Sequence, residues 1–66
     1  MSVLKVIEVL SESEKSWEDA AAQAVTKASK SVSGIRSIYI NEQSAVVSDN
    51  NITKFRINAK ITFEVK

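Results

Sequence analysis

The side chains able to do chemistry in this chain are of few types. Serines are frequent, but histidine and cysteine are absent and there is a single glycine, Gly34. A hydroxyl nucleophile would therefore have neither an imidazole base nor a glycine-flanked elbow to expose it. The same absences remove thiolate and imidazole metal sites and any disulfide framework. What remains for metal binding is oxygen. Glu12, Glu14, Glu18 and Asp19 cluster ahead of and within the start of an alanine-rich run, and Asp49, Asn50 and Asn51 form a second oxygen-rich stretch. Such groups suit a hard cation such as calcium or another divalent ion, although neither stretch has the ligand pattern of an EF-hand loop. Glu18 and Asp19 are the candidate metal ligands. They also suit the positive end of a helix, which would explain them without any ion. Paired acids alone are thin support for acid–base catalysis, and the chain is expected not to be an enzyme.

Three further residues could meet a ligand. Arg56 is a planar cation of fixed charge, suited to an ion pair or to an anionic or planar ligand. Tyr39 lies opposite Ile38 and Ile40 on its strand and is expected to be exposed or at an interface. Trp17 is expected to close the helix entry against the sheet by packing.

The elements that must position these residues follow from periodicity. Residues 3–10, VLKVIEVL, are short, aliphatic and β-branched, and predict a first strand, with the polar stretch 11–16 as connection. Trp17, Ala20, Ala21, Ala24, Val25, Ala28 and Val32 recur at helical spacing as one apolar stripe. Ser16 is the expected N-cap, with Asp19 in the position of a capping-box acid. Gly34 is expected to close the helix near Val32 or Ser33. Residues 35–40 predict a second strand, continuing irregularly through 41–44 into 45–47, and the SDNN stretch at 48–51 is a dense turn signal. In the run KFRINAKITFEV, 54–65, Phe55, Ile57, Ala59, Ile61, Phe63 and Val65 share one face, opposite Arg56, Asn58, Lys60, Thr62 and Glu64. The expected fold is α+β: β-α-β-β, a three-stranded antiparallel sheet wrapped around one helix, with residues 1–66 as one domain.

Size and charge narrow the partners. A chain of 66 residues buries only about 60% of the surface that its unfolded form exposes, and usually needs added support. One helix covers one sheet face and leaves the other face and the edges open, so self-association is expected. A net charge of +1 is far from the concentrated positive field of a nucleic-acid binder. No apolar run approaches the roughly 18 residues of a membrane span, and residues 1–5 lack the features of a leader. The expected setting is cytoplasmic.

The order of these pieces resembles the dodecin family from Val3 to Val65. The resemblance is carried by the VIEV strand at 6–9, the SWEDAA helix entry at 16–21, and the closing alternation that ends in FEV at 63–65. It implies a homododecamer forming a hollow shell, without enzymatic activity. In the family's flavin-binding members, a tryptophan on strand two stacks on the isoalloxazine ring and a glutamine on strand three bonds its pyrimidine edge. The matching positions here are Ser37 and Arg56, with Tyr39 close by. A serine has no π-face, and an arginine only donates where an amide also accepts. The resemblance is thus to the flavin-independent branch, one type of which binds calcium, and a small ligand or ion is the expected cargo. Two alternatives stand beside this reading. One is a true flavin-storing or flavin-quenching dodecin that uses Arg56 and Tyr39. The other is a structural module whose polar sheet face meets a protein partner.

Overall fold

The computed structural model describes residues 2–65. The chain runs β1 (Leu4–Ser13), α1 (Trp17–Ala28), β2 (Ile35–Ser48) and β3 (Asn51–Glu64). Both sheet pairings are antiparallel and the strand order is β1-β3-β2, so β3 is central. The β-α-β-β order and the antiparallel sheet are those expected. No helix among the described residues is long and apolar enough to cross a membrane.

Strands β2 and β3 form a long hairpin. Its turn residues Asp49 and Asn50 both have positive φ, 52° and 65°, the backbone that a two-residue type I′ connection demands and that Asp and Asn tolerate. The irregular continuation of β2 is real: its register with β3 shifts between Ile35 and Ser37, between Ile40 and Glu42, and between Val46 and Val47. Each extra residue bends the strand locally and lets the sheet curl.

Alternation along β3 sorts the two faces. Ile57, Ala59 and Ile61 are buried, and Ala20 of the helix packs in one cluster with Ile57 and Ala59. Having alanine on both sides, at Ala20 and Ala59, lets the helix approach the sheet closely. Val9, Trp17, Ala21, Ile38 and Ile40 close around this contact. Trp17 fills its expected packing role: its ring meets Phe55 edge-on at 4.9 Å between centroids, and its indole N–H donates to the Ser44 carbonyl at 2.9 Å. The helix start is thereby fixed to both β2 and β3.

Two boundaries differ from expectation. Strand β1 continues to Ser13, through residues whose polarity suggested a connection. Ser11 and Ser13 lie on its helix-facing side, where hydrogen bonding makes them compatible with burial. The Ser11 hydroxyl donates to the Ala20 carbonyl at 2.8 Å. Helix α1, in turn, ends at Ala28 rather than near Val32, and the chain unwinds through tight turns at residues 29–32. Serine-rich sequence explains this, since serine hydroxyls compete for backbone groups; that of Ser29 donates to the Thr26 carbonyl at 2.6 Å. Gly34 does adopt positive φ, 74°. It serves the entry to β2, where its carbonyl accepts from the Glu64 N–H at 2.9 Å.

The cap at the other end of the helix also differs in detail. Ser16 accepts from the Asp19 N–H at 2.9 Å, as an N-cap should. The Asp19 carboxylate does not return to the Ser16 backbone but accepts from the Ser13 hydroxyl at 2.6 Å. Ser13 in turn accepts from the N–H groups of Lys15, at 2.9 Å, and Ser16, at 3.4 Å. The reciprocal half of the capping box thus runs through a buried serine at the end of β1. Ser13→Ala is expected to lower unfolding stability by about 1–2 kcal/mol, the usual cost of a lost cap, measurable by urea denaturation.

Candidate functional site

The sheet face turned away from the helix carries the candidate ligand residues. Reading across the strands by register, Val6, Thr62 and Ser37 form one row. Glu8, Lys60 and Tyr39 form the next, then Leu10, Asn58 and Glu42, and then Glu12, Arg56 and Ser44. Because β3 supplies the middle member of every row, its polar alternation sets the chemistry of the whole face.

Arg56 and Glu12 form the firmest feature there. The Arg56 Nε and Nη2 groups donate to the same Glu12 carboxylate oxygen at 2.7 and 2.5 Å. Lys54 lies 3.7 Å from the other oxygen. The hydrogen bonds from Arg56 hold the Glu12 carboxyl below its ordinary range, with the charges of Arg56 and Lys54 adding to the effect against partial desolvation. Part of the guanidinium fork that a ligand would need is therefore already engaged within the protomer.

Next to this pair is a hollow of about 200 Å³ lined by Leu10, Glu42, Gln43, Ser44, Arg56 and Asn58. The Asn58 Oδ1 atom is buried there without a hydrogen-bond partner. That oxygen is closed off from solvent, so a small donor or a cation with oxygen affinity entering the hollow would meet the side-chain oxygens of Glu42, Gln43 and Ser44 instead. The hollow supplies no hydroxyl paired with an imidazole base and no aromatic surface.

Ser37 is exposed, across from Thr62, and Tyr39 is 66% exposed, across from Lys60. Both share the outer face with Arg56. Ser37 lies in a row separated from that of Arg56 by two others, roughly 20 Å by strand rise, so one protomer does not bring the two positions together. Glu18 is exposed at the first turn of α1. Asp19 is occupied by Ser13 and by the Gln23 amide, which donates at 2.6 Å. These bonds, Ser13's first, hold its carboxyl below the ordinary range. Among the described residues, no three carboxylates converge on a point that could hold a metal ion.

The sequence singles out neither Glu12, one of four acids near the helix start, nor Asn58, one of five polar residues on its strand face, as part of the site at Arg56. Glu12 lies in the stretch whose polarity predicts a connection, and its link to Arg56 spans 44 positions, visible only once the register is known. Asn58 carried a usable signal, since asparagine is depleted from strands and here lies amid a central one.

The comparisons with known proteins agree with this geometry. A family model described as Dodecin matches residues 3–66. The chain belongs to the dodecin family. A curated relative, the calcium dodecin of Mycobacterium tuberculosis, is 39% identical over 66 residues, covering 100% of this chain and 93% of that protein. A crystal structure of that calcium-chelating immunodominant antigen, described as having a novel calcium-binding site, matches with TM-score 0.85 at 38% identity. That match covers 98% of this chain and 93% of the other. The dodecin of Streptomyces coelicolor matches with TM-score 0.94 at 20% identity, over 98% of this chain and 93% of that one, a likeness of fold. The dodecin assignment fits the β-α-β-β order and the curled sheet around one helix.

Acid should loosen this dodecin protomer at identifiable points. Glu64 is held below its ordinary range, first by a hydrogen bond from Arg36 at 2.6 Å, and Glu12 and Asp19 are held low as described. A carboxyl with a lowered folded-state pKa contributes stability that is present above its unfolded value. That stability is lost as pH falls through the folded value. The thermal midpoint is therefore expected to fall as pH drops below about 4.5, the ordinary value for Glu12 and Glu64. Glu12→Gln should make that fall shallower, as differential scanning calorimetry across pH would show.

Proposed function

We propose that the chain forms a non-enzymatic homododecameric shell that binds a small ligand or ion, calcium foremost, and that its flavin pocket is altered so as not to hold flavin. The single observation that carries this reading is the pair of flavin positions. Ser37 offers an exposed hydroxyl in place of a ring, and Arg56 is tied to Glu12. The calcium dodecin relative at 39% identity supports calcium as the ion.

Self-assembly is supported by the protomer's shape. Its radius of gyration is 13.4 Å, against roughly 11 Å for a compact chain of this length. Leu4, Val6 and Leu10, on the outer face of edge strand β1, are 51%, 54% and 72% exposed. An edge strand apolar on both faces is a liability in a monomer and an asset at an interface.

Calorimetric titration with calcium and fluorescence titration with riboflavin test the ligand reading. Heat on calcium addition with riboflavin fluorescence unchanged is the expected result. Quenched riboflavin and no calcium heat would contradict it. That outcome would favour the second reading, a flavin dodecin using Tyr39, whose exposed ring is the one aromatic among the outer-face rows.

A further inference from the structure

Two features of the protomer are unexplained by its own packing. One is a groove of about 470 Å³ running along β1 beside α1, with an apolar floor of Ile7, Val9, Leu10, Ala24, Ala28 and Val32. Residues from both faces of β1 line it, so it follows that strand's unpaired edge. Lys27 and Glu12 are its charged lining residues, and the Glu12 carboxylate is already engaged by Arg56. The other is the far end of the hairpin. Strand β1 pairs with β3 only from Phe55 to Glu64, whereas β2 and β3 stay paired out to Ser48 and Asn51. The segment 46–54 is therefore a two-stranded arm without a third strand or helix, a construction that is marginal by itself in water. The arm presents Val47 and Ile52, directly opposite each other across the strands and 62% and 56% exposed. Asp49 sits at the turn beyond them.

We propose that the arm of one protomer seats Val47 and Ile52 in the β1–α1 groove of a second copy, with Asp49 beside that copy's Lys27. The match rests on complementary chemistry: an exposed β-branched pair for an apolar floor, an acid for Lys27 where the groove's own acid, Glu12, is taken up by Arg56, and an unsupported ribbon for an unpaired strand edge. The arm and the groove lie on different parts of the same protomer, in a molecule 51 Å long and 20 Å wide. Each copy can thus give an arm and receive one, the head-to-tail arrangement that closes into rings. The proposal rests on the self-assembly reading above and specifies which surfaces meet.

The absence of native cysteine makes a crosslinking test clean. Co-expressed Val47→Cys and Ala28→Cys chains, oxidised and run on a non-reducing denaturing gel, should give covalent dimers, and neither variant alone should. The doubly substituted chain should give larger multimers. As a second readout, Lys27→Glu or Asp49→Lys alone should shift native mass spectra toward smaller species by several-fold in population, and the two together should restore the larger ones. An intact assembly with no crosslink and no charge-swap rescue would overturn the seat while leaving assembly standing. A monomer in the unmodified protein would overturn both.

Discussion

Replacing Ser37 with tryptophan and Arg56 with glutamine together is expected to confer riboflavin binding, seen as quenching of its fluorescence where the unmodified protein gives none. The reasoning is local. Ser37 lies exposed on the outer face opposite Thr62, so an indole can be accommodated there without disturbing the core. Stacking on such a ring is worth about 1–3 kcal/mol, by analogy with base–aromatic contacts, or roughly 5- to 150-fold in affinity. Arg56→Gln supplies an amide that both donates and accepts. It also releases Glu12, which keeps Lys54 as a nearby cation at 3.7 Å. Ser37→Trp alone should give most of the gain, and Arg56→Gln alone little. No quenching by the double variant, with the assembly intact, would mean that features other than these two positions exclude flavin.

Ile57→Ala is expected to be the most damaging single truncation. Ile57 is 1% exposed on the central strand and packs in the cluster with Ala20 and Ala59. Deleting a buried isoleucine side chain costs about 2–5 kcal/mol, depending on how far the surroundings collapse. The fully buried neighbours in that cluster, Ala20 and Ala59, are too short to extend into the space, and only the partly buried Val9, Trp17, Ile38 and Ile40 around them could close on it, so a cost within that range is expected. A domain of this size has only roughly 3–10 kcal/mol in total. The variant should therefore lose most of its folded population, read by urea denaturation and by the loss of large species in light scattering. A cost under about 1 kcal/mol would show that the helix–sheet contact is not the chief source of stability.

How far the sequence foretold this structure depended on whether a signal was local. The turn at Asp49 and Asn50 was legible because both residues tolerate positive φ, and the core face of β3 was legible from strict alternation. The start of α1 was legible from Ser16 and from the Trp17–Ala20–Ala21 spacing. Its end was not, because Gly34 looked like a helix stop while its backbone served the pairing with Glu64. The last residues of β1 were hidden for a related reason. Ser11 and Ser13 look like loop residues until the helix arrives to accept from the first and to complete the capping relay through the second.

The candidate site was legible in part for the same physical reason. Arg56 stood out as a cation on a strand face, but its engagement by Glu12 and the orphaned Asn58 Oδ1 depend on strands brought together by long-range register. The separation of Ser37 from Arg56 is likewise a property of the register with β3. No residue type or spacing within either strand encodes it.

Native mass spectrometry of the purified protein, with calcium and riboflavin both present, tests the central reading most directly. The expected result is a homododecamer that retains calcium and carries no flavin. A stable monomer or dimer, or a dodecamer that carries riboflavin and no calcium, would contradict it.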